Sequence, residues 1–254
     1  MITFLLACAL LFCILVIFWT LWKLRAARIR NEFLLKNMLP KFVIEELKDK
    51  KIFYPRNVQN VSVIFIDIVR FTPFTSQTAP EAVVHILDEI FSIFDQLSIK
   101  YALEKIKTIG DAYMAVSGLI APQVDHANKA IDFALDAIEQ IKQYNARQAT
   151  DFSLRVGIDS GTVTSGIIGT QKFSYDLWGN VVNRASRMQT TSEENKVQIT
   201  EETRLAIKKI EKYHITAREK WIVKGLVEMC TYFIETDPKL LTSAVNFREE
   251  EGDR

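Results

Sequence analysis

Two aspartates and a few cations carry the chemistry that can be read from this chain. Asp67 closes an apolar, β-branched run, VSVIFID (61–67), and Asp111 follows Gly110 in a predicted two-residue turn. Paired carboxylates suit Mg²⁺ or Mn²⁺, which take carboxylate, water and phosphate oxygens. Two such ions can clamp the attacking and leaving oxygens of a phosphoryl transfer. A strand-end Asp and a turn Asp are each common, so spacing alone leaves a plain structural role open. Arg155 lies mid-strand in FSLRVGID (152–159), where a charge is costly unless paired, and an anion is the expected partner. Asn183 and Arg187 stand four apart on a predicted helix and so share a face. Lys224 sits beside Gly225 between two predicted strands. Each alone reads as a solvated or ion-paired side chain; with the carboxylates, they read as a site for an anionic nucleotide.

Other chemistries fit poorly. Gly161 and Gly166 have the separation of a Walker phosphate loop, but Ile167 and Ile168 stand where Lys and Ser/Thr are required. The glycines can still permit tight turns or a close backbone approach. Cys8, Cys13 and Cys230, with the scattered His85, His126 and His214, build no zinc spacing and too few pairs for a disulfide framework. A net charge of +1 lacks the basic excess of a general nucleic-acid binder, so no nucleic-acid partner is expected. With 254 residues and 48% apolar content, one medium domain plus an appendage can be packed.

The elements that must position these residues begin at 58. The run at 61–67 predicts a buried strand. Thr78-Ala-Pro-Glu81 reads as a capping box opening a helix, with Val83, Leu87, Ile90, Phe94, Leu97 and Tyr101 on one stripe. EKIKTI and AYMAVSG flank Gly110-Asp111 as a hairpin. A second amphipathic helix turns Ala127, Ile131, Ala134, Ile138 and Ile141 inward. Next come a strand at 152–159, a Gly-rich stretch to Gly169, a helix at 179–189 and a strand at 196–199. A helix from Thr200, strands near 213–223 and 228–235, and a disordered tail at 237–254 complete the expectation. The order strand–helix–strand–strand–helix–strand is an α+β, ferredoxin-like βαββαβ core with C-terminal additions. In it the hairpin's first strand is expected beside strand one, bringing Asp67 and Asp111 to one sheet edge.

Residues 1–22 contain no charge and only Thr3 and Thr20 as polar side chains. As a helix they reach roughly 33 Å, enough for a hydrocarbon core of about 30 Å. Trp19 and Trp22 sit at the expected interface, and Lys23, Arg25, Arg28 and Arg30 put the remainder of the chain in the cytoplasm. A cleaved signal peptide would need a basic start, a shorter apolar run and a small-residue cleavage site. One transmembrane helix is therefore expected, with no outer domain, since only Met1 precedes the apolar run; the chain reads as complete or as the tail of a longer membrane protein. Residues 23–57 are expected as a helical linker. Leu21, Leu24, Leu35, Met38 and Phe42 make an approximate heptad, interrupted by Arg28 and Asn31, and Pro40 ends that helix or opens KFVIEELKDK.

FIDIVRFT (65–72), EKIKTIGDAYMAVSG (104–118), LRVGIDSGTVTSGIIG (154–169) and YDLWGNVVNRASRM (175–188) together resemble the class III nucleotidyl cyclase family. VKG (223–225) matches a weaker, later motif. The resemblance runs from about 58 to 236, as a cyclase catalytic domain, with Asp67 and Asp111 at 111 − 67 = 44 residues apart as the pattern expects. It implies that Asp67, Asp111 and the main-chain carbonyl of Ile68 bind two Mg²⁺ or Mn²⁺ ions. It implies further that Lys107 and Asp176 read adenine, where guanylate cyclases usually carry Glu and Cys. It also implies that Asn183 positions the ribose, that Arg187 stabilises the transition state at the α-phosphate, and that Arg155 and Lys224 contact the triphosphate. Leu226 stands where many relatives have a second basic residue.

The implied activity is adenylate cyclase, making cyclic AMP from ATP in a membrane-anchored, head-to-tail homodimer whose sites draw on both copies. The alternatives are guanylate cyclase, which Lys107 and Asp176 argue against, and a non-catalytic nucleotide-binding signalling module of the same fold.

Overall fold

The apolar residues at the start and the charged residues behind them form one uninterrupted helix, α1 (Ile2–Lys36). In this computed structural model residues 1–36, 38–50, 53–121, 123–169, 171–221 and 229–236 are described. Lys224 and the tail expected at 237–254 lie outside the described residues. The chain divides into two compact units, Met1–Phe53 and Tyr54–Arg254.

The first unit is α1 and α2 (Lys41–Lys50). The 35 residues of α1 reach roughly 50 Å at about 1.5 Å each. Its stretch Ala9–Leu35 is long and apolar enough to cross a membrane, by length and composition, and its apolar window buries no residue. Lys23 Nζ lies 4.0 Å from the centre of the Trp19 ring, a cation set against an aromatic face. Pro40 opens α2: the amides of Val43 and Ile44 donate to its carbonyl. Lys48 reaches back to Glu32 at 2.9 Å, and Phe42 packs 6.3 Å from Phe53 between ring centres. Of the approximate heptad, Leu21, Leu24, Leu35 and Met38 are exposed.

The second unit runs β1 (Arg56–Val69), α3 (Phe71–Thr75), α4 (Pro80–Tyr101), β2 (Leu103–Ile109), β3 (Ala112–Ser117), α5 (His126–Gln148), β4 (Ser153–Ile168), β5 (Ser174–Trp178), α6 (Asn180–Thr191), β6 (Lys196–Thr200), α7 (Glu201–Ala206), β7 (Tyr213–Trp221) and β8 (Met229–Thr236). One sheet joins them in the order β2-β3-β1-β4-β6-β8-β7, with β5 on the outer part of β4. The first four strands give the ferredoxin-like arrangement, so the α+β expectation holds. Alternate residues of β1 (Ile64, Ile66, Ile68) and β4 (Leu154, Val156, Ile158) face one core with Ile90, Phe94 and Leu97 of α4 and Ala127, Ile131, Ala134 and Ile141 of α5. Residues in between point to the other face. There Gly157 lets α6 lie directly on β4: a Cβ at this position would stand 2.0 Å from the Gln189 amide nitrogen and 2.5 Å from the Ala185 carbonyl oxygen.

Four expectations are corrected. The hairpin's second strand, β3, pairs with β1, while β2 lies outside it. Thr78 does not cap α4; its hydroxyl donates to the Phe74 carbonyl at 2.8 Å, and Ala79 takes the cap position without a side-chain bond. The strand expected over 152–159 runs on through the Gly-rich stretch, which is the outer half of the 16-residue strand β4. It pairs there with β5, a strand the sequence did not predict.

Candidate active site

The topology brings the proposed residues into three groups. The first is a strand corner. On β1, Asp67 stands opposite Ala112 of β3 on one side and Arg155 of β4 on the other. Asp111 directly precedes Ala112, so the hairpin turn delivers the second carboxylate beside the first. Gly110 adopts φ +62 in that turn, a left-handed conformation that glycine takes without cost. Burial pushes the Asp111 carboxyl up, the charge of Asp67 pushes the same way, and the Asp111 amide and Arg155 oppose them. Arg155 Nη2 donates to Asp67 Oδ2 at 2.8 Å. The mid-strand arginine thus has a partner within the chain, a carboxylate rather than a bound anion. Its Nε, however, is buried without a hydrogen-bond partner.

The donor set at this corner fits a magnesium-like ion. Asp67, Asp111 and the carbonyl of Ile68 are all oxygen donors, and the two carboxylates repel each other until a cation intervenes. Ile68 is buried in the core opposite Leu154, which fixes the main chain at that point. No cluster of three or more His, Cys, Asp or Glu side chains occurs among the described residues. Two carboxylates are what Mg²⁺ usually needs, because it keeps waters and takes phosphate oxygens for its remaining positions.

The second group is a cation–carboxylate pair. β2 carries a register shift between Lys105 and Lys107, and β5 places Asp176 opposite Gly166 of β4. Lys107 Nζ donates to Asp176 Oδ2, and Asp176 Oδ1 accepts the Leu177 amide. The carboxylate is the more enclosed partner, with 16% of its side chain exposed against 36% for the lysine. Strand β5, absent from the sequence expectation, is what brings this pair together.

The third group is on α6. Asn183 and Arg187 are both exposed on that helix. Among the described residues, neither side chain makes a hydrogen bond or ion pair. Lys224, expected near the triphosphate, lies outside the described residues.

Two carboxylates shaped by burial escaped the sequence reading. Asp159, fully buried in β4, accepts from Arg184 Nε of α6 at 2.6 Å. An aspartate closing the apolar run LRVGID was the available signal, since a buried carboxylate must find partners. The other is Glu104 on β2, whose carboxyl burial alone pushes up from 4.5 to about 6.

Comparison with known proteins identifies the family of the domain that carries these residues. Residues 53–236 match the model of the adenylate and guanylate cyclase catalytic domain. An adenylate cyclase of Mycobacterium tuberculosis is 39% identical over 210 residues, 81% of this chain and 46% of that protein. The chain therefore spans about half the length of that relative. Among solved structures, the guanylate cyclase domain of RhGC from Catenaria anguillulae in complex with GTP is 32% identical, with a TM-score of 0.68 over 71% of this chain and 98% of that one. The adenylyl cyclase CyaB from P. aeruginosa is 25% identical, with a TM-score of 0.68 over 73% of this chain and 97% of that one. The chain belongs to the class III nucleotidyl cyclase family, and its second unit carries the family's catalytic domain. Relatives of both base specificities stand near it.

Proposed function

We propose that this chain is a membrane-anchored adenylate cyclase, forming 3′,5′-cyclic AMP and pyrophosphate from ATP at sites shared by two copies packed head to tail. The observation that carries the base preference is the pairing of Lys107 with Asp176. An ammonium donates to N1 of adenine, and a carboxylate accepts from its exocyclic amine. Guanine offers a proton at N1 and a carbonyl at position 6, so both contacts fail, and polar sites reject such mismatches strongly.

The residues divide the reaction among them. Asp67, Asp111 and the Ile68 carbonyl would hold two Mg²⁺ or Mn²⁺ ions, which supply charge neutralisation and favour the 3′-oxyanion. The 3′-oxygen bonds to the α-phosphorus as the bond to the bridging oxygen breaks, and pyrophosphate takes the electron pair. The 3′-proton passes to water or a substrate phosphate oxygen. Arg155 and Lys224 bind the triphosphate. Asn183 positions the ribose, and Arg187 answers charge developing at the α-phosphate.

Because Asn183 and Arg187 face outward, a second copy can receive them. A two-fold pairing would give two equivalent sites, each with the strand corner of one copy and α6 of the other. The helix α1 serves as the single-pass anchor, with its basic flank at 23–30 on the cytoplasmic side.

The test is turnover by the full chain in lipid nanodiscs, with ATP or GTP and Mn²⁺ or Mg²⁺. Metal-dependent cyclic AMP is expected, with a preference for ATP over GTP of at least about a hundredfold in kcat/KM. Cyclic GMP as the main product would overturn the base assignment. Nucleotide binding without cyclic product would favour a non-catalytic signalling module.

A further inference from the structure

Helix α6 carries a second arginine, Arg184, between Asn183 and Arg187, and that one turns inward. Arg184 is held at two points. Its Nε donates to Asp159 Oδ2 at 2.6 Å, and its Nη1 donates to Glu202 Oε1 at 2.7 Å. Asp159 has no exposed side-chain surface and is itself fixed. Its Oδ1 accepts from the Thr200 hydroxyl at 2.5 Å and from the Ser160 amide at 2.9 Å. Thr200 is also the N-cap of α7, accepting the Thr203 amide at 3.3 Å. One carboxylate therefore joins β4, the start of α7 and the middle of α6.

Helix α6 has no side-chain cap at its own start, where Gly179 stands at φ 137. Its later turns are seated by backbone contact over Gly157. The earlier turns rest on Val181 against Gly161, where an added Cβ would come within 2.8 Å of Val181 Cγ2, and on Arg184. Asn183 and Arg187 hold no partners of their own among the described residues, so their aim is the aim of the helix.

We infer that Asp159 and Glu202 clamp Arg184 to set the position of α6, making Arg184 a positioning residue for the groups that act on ribose and α-phosphate. This rests on the proposed roles of Asn183 and Arg187. A side chain that must meet a transition state is sensitive to small displacements: a misplacement of about 1 Å can cost about a hundredfold in rate. Substrate binding is shared with the strand corner and the Lys107–Asp176 pair, so the clamp acts on kcat more than on KM.

The experiment uses the full chain in nanodiscs and the variants Arg184→Gln, Arg184→Lys, Asp159→Asn, Glu202→Gln and, as control, Arg187→Ala. Three readouts are taken: kcat and KM for ATP, thermal unfolding, and amide hydrogen exchange across 180–191. Arg184→Gln is expected to lower kcat by about ten- to a hundredfold with KM within about twofold, and to speed exchange in α6. Arg184→Lys is expected to restore part of kcat, because it keeps the charge and one hydrogen bond. Asp159→Asn should follow Arg184→Gln, and Glu202→Gln should have the smallest effect. A lowered melting temperature with kcat kept within about twofold would show a merely structural ion pair and overturn the inference. Unchanged exchange in α6 of Arg184→Gln would overturn it too. If Arg184→Gln fails to fold, Arg184→Lys carries the same comparison. Full activity in Arg187→Ala would instead refute the site reading, while the exchange data would still decide whether the clamp holds the helix.

Discussion

The strand corner and the outer face of α6 solve the problem of placing charge in opposite ways. At the corner, Asp67, Asp111 and Arg155 are partly buried and already answer one another, with the Arg155–Asp67 contact at 2.8 Å. On α6, Asn183 and Arg187 are exposed and answered by nothing among the described residues. The corner is preorganised by sheet register, which fixes three strands against each other. The helix offers its groups outward and borrows rigidity from its inner face. The proposed site, divided between two copies, would need one part of each kind.

The sharpest way to break this comparison is to remove one residue from each region. Asp67→Ala and Arg187→Ala should each lower turnover by roughly a thousandfold or more. Their stabilities should differ. Asp67→Ala leaves a partly buried guanidinium without its acceptor and should cost about 1 kcal/mol, allowing for solvent screening. Arg187→Ala should stay within about 0.5 kcal/mol of the parent. Thermal unfolding of both variants checks this, and equal stabilities would blur the distinction between the regions.

Base choice comes next. Lys107→Glu combined with Asp176→Cys should lower kcat/KM for ATP by about a hundredfold or more and raise that for GTP. Parallel assays of cyclic AMP and cyclic GMP read this out. Retained ATP preference would place base selection elsewhere.

A smaller effect is expected at Arg155. In Arg155→Ala, Asp67 no longer has a cation of its own. Mn²⁺ measured alone by calorimetry should therefore bind about fivefold tighter, in keeping with an ion pair worth about 1 kcal/mol. ATP should bind more weakly to the same variant. Weaker Mn²⁺ binding would mean that Arg155 holds Asp67 in place rather than competing for it.

The smallest effect concerns stability alone. Glu104 has its carboxyl pushed from 4.5 up to about 6 by burial, so folding favours its protonated form. That contribution is complete below 4.5 and is lost as pH rises through about 6. Glu104→Gln should therefore raise stability near pH 7 by up to about 2 kcal/mol. Near pH 4.5 the gain should vanish. Thermal unfolding at the two pH values checks the sign; a loss of stability at the higher pH would contradict it.

Much of the architecture was readable because its signals are periodic. Ile90, Phe94 and Leu97 on α4, and Ala127, Ile131 and Ala134 on α5, fall on stripes that the structure buries. Gly110-Asp111 marks its turn by residue type alone. The failures have physical causes. The outer half of β4 carries glycines at 161 and 166, which erase side-chain alternation, so neither that strand nor its partner β5 announced itself. Hydrophobicity says that β2 and β3 form a hairpin, but not which of the two joins β1. Thr78 had two carbonyl or amide choices within reach and took the Phe74 carbonyl. At the site, residue types singled out Asp67, Asp111 and Arg155 as candidates, but not that two of them bond each other. The inward-turned Arg184 stayed hidden because its partners, Asp159 and Glu202, lie 25 and 18 residues away.

The most direct test of the shared site is mixing. Asp67→Ala and Arg187→Ala chains, each inactive, are combined in nanodiscs and assayed for cyclic AMP. Random pairing makes about half of the dimers mixed, each with one intact site, so recovery to about a quarter of parental activity is expected. A mixture that stays inactive, although both variants fold and pair, would contradict a site built from two copies.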